Sequence, residues 1–250
     1  MNFEKPNSSH FDEDNTEEED PPNYGDVSYW DSRYEIPEDF DWYQNWTDLA
    51  PAFDLFFAGD EVVLNIGCGN SRMSYEMSMS SPIQKVVSID FSSNVINQMK
   101  QKYSQNSKLE WMVMDCTKMT FPDNSFDMVF DKGTVDCIFC SDSPIESVYN
   151  TLSEVERVLK TGGLFFLISY SKPESRVYIF KQIKLHWHLH QPMILPNPQK
   201  EHSYHYVYIF QKLNPEIDIR LFHDEVEYDF EEEEEEEEEF EEEESIQTHS

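Results

Sequence analysis

Between residues 60 and 212 short apolar runs alternate with stretches of helical periodicity, and this alternation limits the possible folds more than any other feature. The spacing predicts strands over 61–66, 85–90, 109–115, 126–131 and 164–170. Helices are predicted over 71–80, opened by Ser71, and from Ser92 and Ser93 through Tyr103, with Val95, Ile96 and Met99 as the apolar stripe. A longer helix over 145–160 carries Val148, Leu152, Val155 and Leu159 at helical spacing and is read as stopping at Gly162-Gly163. Strands separated by helices imply a mostly parallel sheet covered on both faces, the doubly wound α/β class. Past Lys172 the pattern changes to a helix over 174–183 and two strand-like runs, 184–190 and 204–212. A loop containing Pro192, Pro196 and Pro198 joins them, with no crossover helix, so they are expected to form a C-terminal antiparallel hairpin.

In such a sheet the first strand-to-helix turn faces the ligand crevice. Here that turn reads LNIGCGNS, and it holds Gly67 and Gly69, two of only seven glycines in the chain. Glycines there let the backbone approach a ligand with no Cβ in the way. The third glycine of a dinucleotide fingerprint is replaced by Arg72, which argues against NAD. Asp90, 21 residues beyond Gly69, ends the second predicted strand, where a carboxylate can accept both hydroxyls of a ribose. Asp115 ends the third, beside Cys116, where a carboxylate and a backbone amide can hold an adenine edge. The order of these signals implies an adenosine derivative without a pyrophosphate.

The formal net charge is −33, but it is concentrated at the ends. Residues 224–250 hold 17 acidic and no basic residues; residues 1–26 hold nine acids against Lys5. Removing both leaves a net −8 for the middle. Residues 1–26 and 223–250, the latter with the Glu231–Glu239 and Glu241–Glu244 runs, are expected to be disordered acidic segments around a single domain over 27–222. They read as solubilising tails, or as arms for basic partners. The same acidity opposes direct nucleic-acid binding. The N-terminus lacks an apolar leader and no apolar run approaches a membrane span, so a cytoplasmic protein, with the nucleus as a second location, and a monomer are expected. The four cysteines then read as reduced thiols, with Cys137 and Cys140 packing on a helix. His186, His188 and His190 alternate along one strand and read as lining a sheet face, so no metal is expected.

Four segments, VLNIGCGNSRMSYEM, SIDFSSNVINQMK, WMVMDCTKMTFPDNSFDMVFDKGTVD and EVERVLKTGGLFFLISYSKP, resemble the class I, seven-stranded S-adenosylmethionine-dependent methyltransferases. The paired GCGNS and DKGTVD motifs narrow the resemblance to the methyltransferase-like branch that contains lysine methyltransferases of elongation factor 1-alpha. YWDSRY at 29–34 and FDWYQNW at 40–46 resemble the branch's N-terminal segment, which folds over the cofactor. The likeness runs from Tyr29 to Lys212 and leaves out both acidic ends.

The resemblance implies that Trp30, Tyr34 and Trp42 close around S-adenosylmethionine and that Gly67 lies against its methionine end. It further implies that Asp90 and Phe91 hold the ribose, Asp115 and Cys116 hold the adenine, and Lys132 sits close to the cofactor. Asn65 stands where many members of the superfamily carry an acid. The implied activity is protein-lysine N-methylation of an elongation-factor-type substrate with a basic surface. Trp30, Trp42, Tyr170 and Tyr178 are candidates for an aromatic channel that desolvates the target amine, the last two being equally readable as core. No residue reads as a general base. Two alternatives remain at this level: a small-molecule methyltransferase, and a non-catalytic binding protein that engages basic partners through its acidic ends.

Overall fold

Eight strands and seven α-helices build the described part of the chain, which in this computed structural model is residues 24–214 except 37 and 142, together with residue 216. The strands are β1 (Val62–Ile66), β2 (Lys85–Asp90), β3 (Leu109–Val113), β4 (Phe126–Lys132), β5 (Leu159–Ser169), β6 (Trp187–Leu189), β7 (Met193–Pro196) and β8 (Tyr204–Lys212). The helices are α1 (Val27–Arg33), α2 (Trp46–Phe53), α3 (Met73–Ser80), α4 (Ser93–Lys102), α5 (Thr134–Ile138), α6 (Pro144–Val158) and α7 (Pro173–Gln182).

The sheet runs β3-β2-β1-β4-β5-β8-β6, with β7 also paired to β8. β1 to β5 are mutually parallel, and β8 enters antiparallel to β5. This is the expected doubly wound, mostly parallel sheet with an antiparallel end. The strand count differs from the expected seven. β6 pairs with residues 210–212 of β8 and β7 with residues 204–207, so two short strands share the outer edge of one long strand. Pro192, which has no N–H to give the ladder, interrupts that edge just after the amide of His190 donates to Ile209 O at 2.9 Å. The segment read as a loop therefore contains β7, and Pro196 lies on a sheet edge, where proline is tolerated.

Strand residues alternate between two buried layers. Leu64, Ile66, Phe165 and Leu167 face α6 and α7 through Val148, Leu152, Val177 and Phe180. Val63, Phe130, Phe166 and Ile168 face α2 and α3 through Trp46, Leu49, Phe53 and Met77. Burial on both faces is what a central parallel sheet requires. The Gly162-Gly163 pair was read as a helix stop and is instead inside β5: α6 already ends at Val158. Pairing passes from Phe126↔Leu159 to Met128↔Leu164, so extra residues bulge out between them. Gly162 sits at φ 81°, and a Cβ on Gly163 would stand 2.8 Å from Lys160 O, so the bulge needs both glycines.

Chain order places a topological switch between β1 and β4, since β2 and β3 lie on one side of β1 while β4 and β5 lie on the other. The carboxyl ends of β1, β2 and β4 flank that point. A strap of residues 38–45 links α1 to α2 and bonds to the carboxyl end of β4 through Lys132. α1 packs beneath, where Trp30 and Tyr34 join Val95, Ile96 and Met99 of α4 in a third apolar cluster.

Candidate active site

The turn after β1 hangs from its neighbours by backbone bonds. The amide of Cys68 donates to Ile89 O at 3.0 Å, and the amide of Gly69 donates to Asp90 Oδ2 at 2.9 Å. Gly67 and Gly69 both adopt left-handed backbone, φ 55° and 50°. Their bare Cα atoms let two side chains close in: a Cβ on Gly67 would stand 2.1 Å from Thr134 Oγ1, and one on Gly69 would stand 2.7 Å from the Tyr34 hydroxyl. Ser71 precedes the helix cap proper, which is Arg72; its hydroxyl still accepts the Met73 amide at 3.0 Å and also donates to Asp41 of the strap.

Asp90 is buried at the end of β2, with Oδ1 accepting the amide of Ser92 at 2.9 Å. Burial pushes its carboxyl up to about 6, against the lowering effect of those amides, and Asp31 nearby adds repulsion. Two backbone donors fix the plane of the carboxylate and leave it lone pairs for a vicinal diol. Phe91 follows and is exposed at the rim. Asp115 lies two residues past the end of β3, not at it; its Oδ1 accepts both the amide and the hydroxyl of Thr117, at 2.9 and 2.8 Å. The Cys116 thiol, 3.9 Å from Thr151 Oγ1, is pushed up to about 12 by burial and is a neutral, apolar surface.

The lid is aromatic. Trp30 stacks on Tyr34 with centroids 5.7 Å apart and lies 6.4 Å from Trp42. Trp30 Nε1 donates to Tyr24 O at 2.8 Å, and the Tyr24 ring meets Trp42 edge-on at 6.1 Å. Asp26 caps α1 by accepting the Ser28 amide at 2.8 Å. The expected boundary between an acidic segment and the domain, at 26/27, thus falls inside this lid, while residues 1–23 and 217–250 lie outside the described residues. Lys132 closes the far wall. Its buried ammonium donates to Asp41 Oδ1 at 2.6 Å, Gln44 O at 2.8 Å and Trp42 O at 3.0 Å, so all three protons hold the strap.

These elements enclose a cavity of about 310 Å³ that all ten residues singled out in the sequence line: Trp30, Tyr34, Trp42, Gly67, Gly69, Asp90, Phe91, Asp115, Cys116 and Lys132. Sequence reasoning missed Tyr24, Thr134 and Cys137, which line it too. Thr134 lay within the quoted DKGTVD motif, but nothing in that motif signals its contact with Gly67. Asn65 is also on the wall, its amide donating to Ser74 Oγ at 2.9 Å. The lining suits a nucleoside: a fixed carboxylate acceptor, apolar surface from Met114, Cys116 and Ile138, and an aromatic roof. Among the described lining residues no free side-chain cation is offered to a phosphate, because the Lys132 ammonium is fully used and the Arg33 guanidinium stacks over Phe40 at 5.1 Å.

The expected channel does not assemble as read. Tyr170 and Tyr178 are exposed, not core, and neither lines this cavity. Tyr170 instead stands 6.2 Å from Tyr43, a residue the sequence did not single out. Tyr43 adopts φ 66°, a left-handed conformation that costs a bulky side chain about 1–3 kcal/mol. Its phenol donates to Asp136 Oδ2 at 2.8 Å. Cys137 lies on α5, as a packing role on a helix predicts, and Cys140 lies just beyond its end. The rings of His188 and His190 meet edge-on at 4.5 Å, while His186 bonds to Asn214 O.

A doubly wound sheet whose switch-point crevice holds a fixed acid and, among the described lining residues, no free side-chain cation for a phosphate is the architecture of a class I methyltransferase. Comparison with known proteins agrees. The sequence model of the methyltransferase domain family matches residues 64–167. Mouse EEF1A lysine methyltransferase 4 is 31% identical over 177 residues, 66% of this chain and 69% of that protein. Human eEF1A lysine and N-terminal methyltransferase is 35% identical over 154 residues, 60% of this chain but only 22% of that protein. A S-adenosylmethionine-dependent methyltransferase from Methanosarcina mazei shares the fold with a TM-score of 0.54 at 19% identity, covering 66% of this chain and 99% of that one. A Burkholderia thailandensis N1-methyltransferase, solved with S-adenosylhomocysteine, superposes with a TM-score of 0.56 at 14% identity, covering 75% and 87%. The chain belongs to the S-adenosylmethionine-dependent methyltransferases, and it is similar in sequence to the EEF1A lysine methyltransferases among them. Membership of that family carries S-adenosylmethionine as the cofactor.

Proposed function

We propose that the protein methylates lysine side chains on a protein of the elongation factor 1A type, with the cofactor held in the 310 Å³ cavity. The observation that carries this reading is the convergence of the glycine turn, Asp90 and the Trp30–Tyr34–Trp42 lid on that one cavity, in a chain similar to enzymes named for lysine methylation of EEF1A. Asp90 accepts the ribose hydroxyls, Phe91 covers the ribose face, and Asp115 with the Cys116 amide takes the adenine edge. Gly67 and Gly69 border the methionine end. Trp30, Tyr34 and Trp42 exclude water, and Lys132 keeps the strap shut over them.

S-adenosylmethionine, when bound, supplies a methyl group on a positively charged sulfur to the acceptor nitrogen and leaves as the neutral thioether. Positioning supplies most of the remaining effect. The amine must arrive deprotonated, and the apolar lid favours that by opposing its charge. The acidic sequences of residues 1–23 and 223–250 supply negative charge that attracts a basic protein surface, raises the encounter rate and repels nucleic acid. Among the described residues no helix is long and apolar enough to cross a membrane.

Labelled cofactor added with the purified protein to cell lysate tests this reading. A discrete labelled protein band that weakens at high salt is expected, with methyl groups on lysine nitrogen. Label confined to the small-molecule fraction would contradict it.

A further inference from the structure

A second, more open cavity of about 720 Å³ adjoins the cofactor cavity at Phe40 and Trp42, which line both. Tyr43 lines the second together with His205. Tyr43 is held from several directions. The carbonyls on either side of it, of Trp42 and Gln44, are both bound by the Lys132 ammonium. Its phenol is bonded to Asp136, which is itself buried and fixed: Oδ1 accepts from Ser169 Oγ at 2.8 Å and from Arg176 Nη2 at 3.1 Å. The Arg176 guanidinium in turn lies over the Phe139 ring, 3.7 Å from its centroid. Gly133 lines the cofactor cavity, and a Cβ there would stand 3.5 Å from the Tyr43 hydroxyl. The phenol end of Tyr43 thus lies next to Gly133 in the cavity wall. The rings of Trp42, Tyr170 and His205 stand 6.2, 6.2 and 5.1 Å from Tyr43. None of these contacts is needed to hold a nucleoside.

We propose that Tyr43 receives the acceptor amine between Trp42 and Tyr170 and limits how many methyl groups it takes, with Asp136 and Arg176 as positioning residues. This rests on the protein-lysine reading above. The phenol keeps its proton at neutral pH, because burial and the neighbouring Asp136 raise its pKa. That proton is committed to Asp136, so toward a substrate the oxygen acts only as an acceptor. A neutral amine donates one N–H to it, which turns the nitrogen lone pair away from the phenol. Each transfer forms one N–C bond and breaks one S–C bond of the cofactor, and the nitrogen then releases one proton to solvent. Every added methyl group replaces an N–H and needs space that the hydroxyl occupies. The hydroxyl thus favours early release, and Phe at this position removes both the bond and the obstruction.

The experiment compares wild type, Tyr43→Phe, Tyr43→Ala and Asp136→Asn in two assays. In the first, lysate proteins methylated by each variant are hydrolysed to amino acids, and mono-, di- and trimethyl-lysine are quantified. Tyr43→Phe is expected to raise the ratio of higher to mono-methylated lysine at least about threefold, the size of one lost hydrogen bond. Asp136→Asn is expected to move it the same way, with cofactor affinity unchanged. An unchanged ratio in Tyr43→Phe overturns the proposal, whether or not Asp136→Asn folds. The second assay needs no turnover: n-butylamine is titrated into protein loaded with S-adenosylhomocysteine, followed by tryptophan fluorescence. Wild type should bind it, and Tyr43→Ala should bind it at least about tenfold more weakly. If wild type yields no methyl-lysine, the protein-lysine reading fails, and the titration alone decides on Tyr43. Equal binding by wild type and Tyr43→Ala, or none by wild type, overturns its role.

Discussion

Lys132 at the end of β4 and Asp41 in the strap, 91 residues apart in sequence, form an ion pair of 2.6 Å whose lysine end is buried. The pair joins the switch point of the sheet to the cover of the cavity. Burial lowers the Lys132 pKa, opposed by Asp41, so the charge persists because a partner faces it. Removing one member of such a buried pair strands the other. Lys132→Met is expected to cost about 3–5 kcal/mol of stability and to weaken cofactor binding. A double-mutant cycle with Asp41→Asn, read by urea unfolding and calorimetry, should show coupling between the two sites. Additive effects would mean the strap is held by its backbone carbonyls alone.

As the proposed ribose acceptor, Asp90 should set a pH dependence for cofactor binding. Its carboxyl is pushed up to about 6, and only the ionised form accepts two ribose hydroxyls. Affinity should be flat above that value and fall below it, approaching tenfold per pH unit. Asp90→Ala should bind about 30- to 150-fold more weakly at pH 7.5 and lose the acid limb. The raised value also has a stability consequence. The folded state keeps a proton on Asp90 that the unfolded chain releases nearer pH 4, so this group's contribution to stability falls as pH rises from about 4 to 6. Calorimetric titration across pH 5–8 checks the binding claim, and a fall in affinity shared by Asp90→Ala would assign it to another group.

Gly67→Ala should destabilise the fold by about 1–3 kcal/mol, from its left-handed backbone. The added Cβ would also meet the Thr134 side chain. Thr134→Ala in the same chain should recover part of the loss, because Oγ1 and Cγ2 are the nearest obstacles. Thermal melts of the single and double variants check this. No recovery would place the cost in the backbone alone.

How far the sequence reached depended on how far apart the interacting residues stand. Strands β1, β2 and β4 were legible because apolar runs fill both faces of a central sheet, and Gly67 and Asp90 were legible because they sit where those runs stop. The bulge at Gly162-Gly163 was misread because glycine ends helices and kinks strands equally well. β7 was missed because prolines mark loops and edge strands alike. α5 spans only five residues, too short to show a period. Tyr43 and Asp136 are 93 positions apart, and no local pattern connects them.

The lid contacts of Tyr24 give a direct check on where the domain begins. Deleting residues 1–20 together with 224–250 should leave the melt and cofactor affinity unchanged. Extending the N-terminal cut through Asp26 removes the α1 cap and the acceptor of Trp30 Nε1, and should weaken cofactor binding measurably. Equal affinity in both truncations would detach Tyr24 from the site.

The most direct measurement is mass spectrometry of purified elongation factor 1A after incubation with the protein and S-adenosylmethionine. The account predicts methyl groups on lysine nitrogen at one or a few discrete positions, strongly reduced at limiting cofactor when Asp90→Ala replaces the wild type. An unmodified factor, with cofactor binding confirmed in the same preparation and label recovered only in small molecules or nowhere, would contradict it.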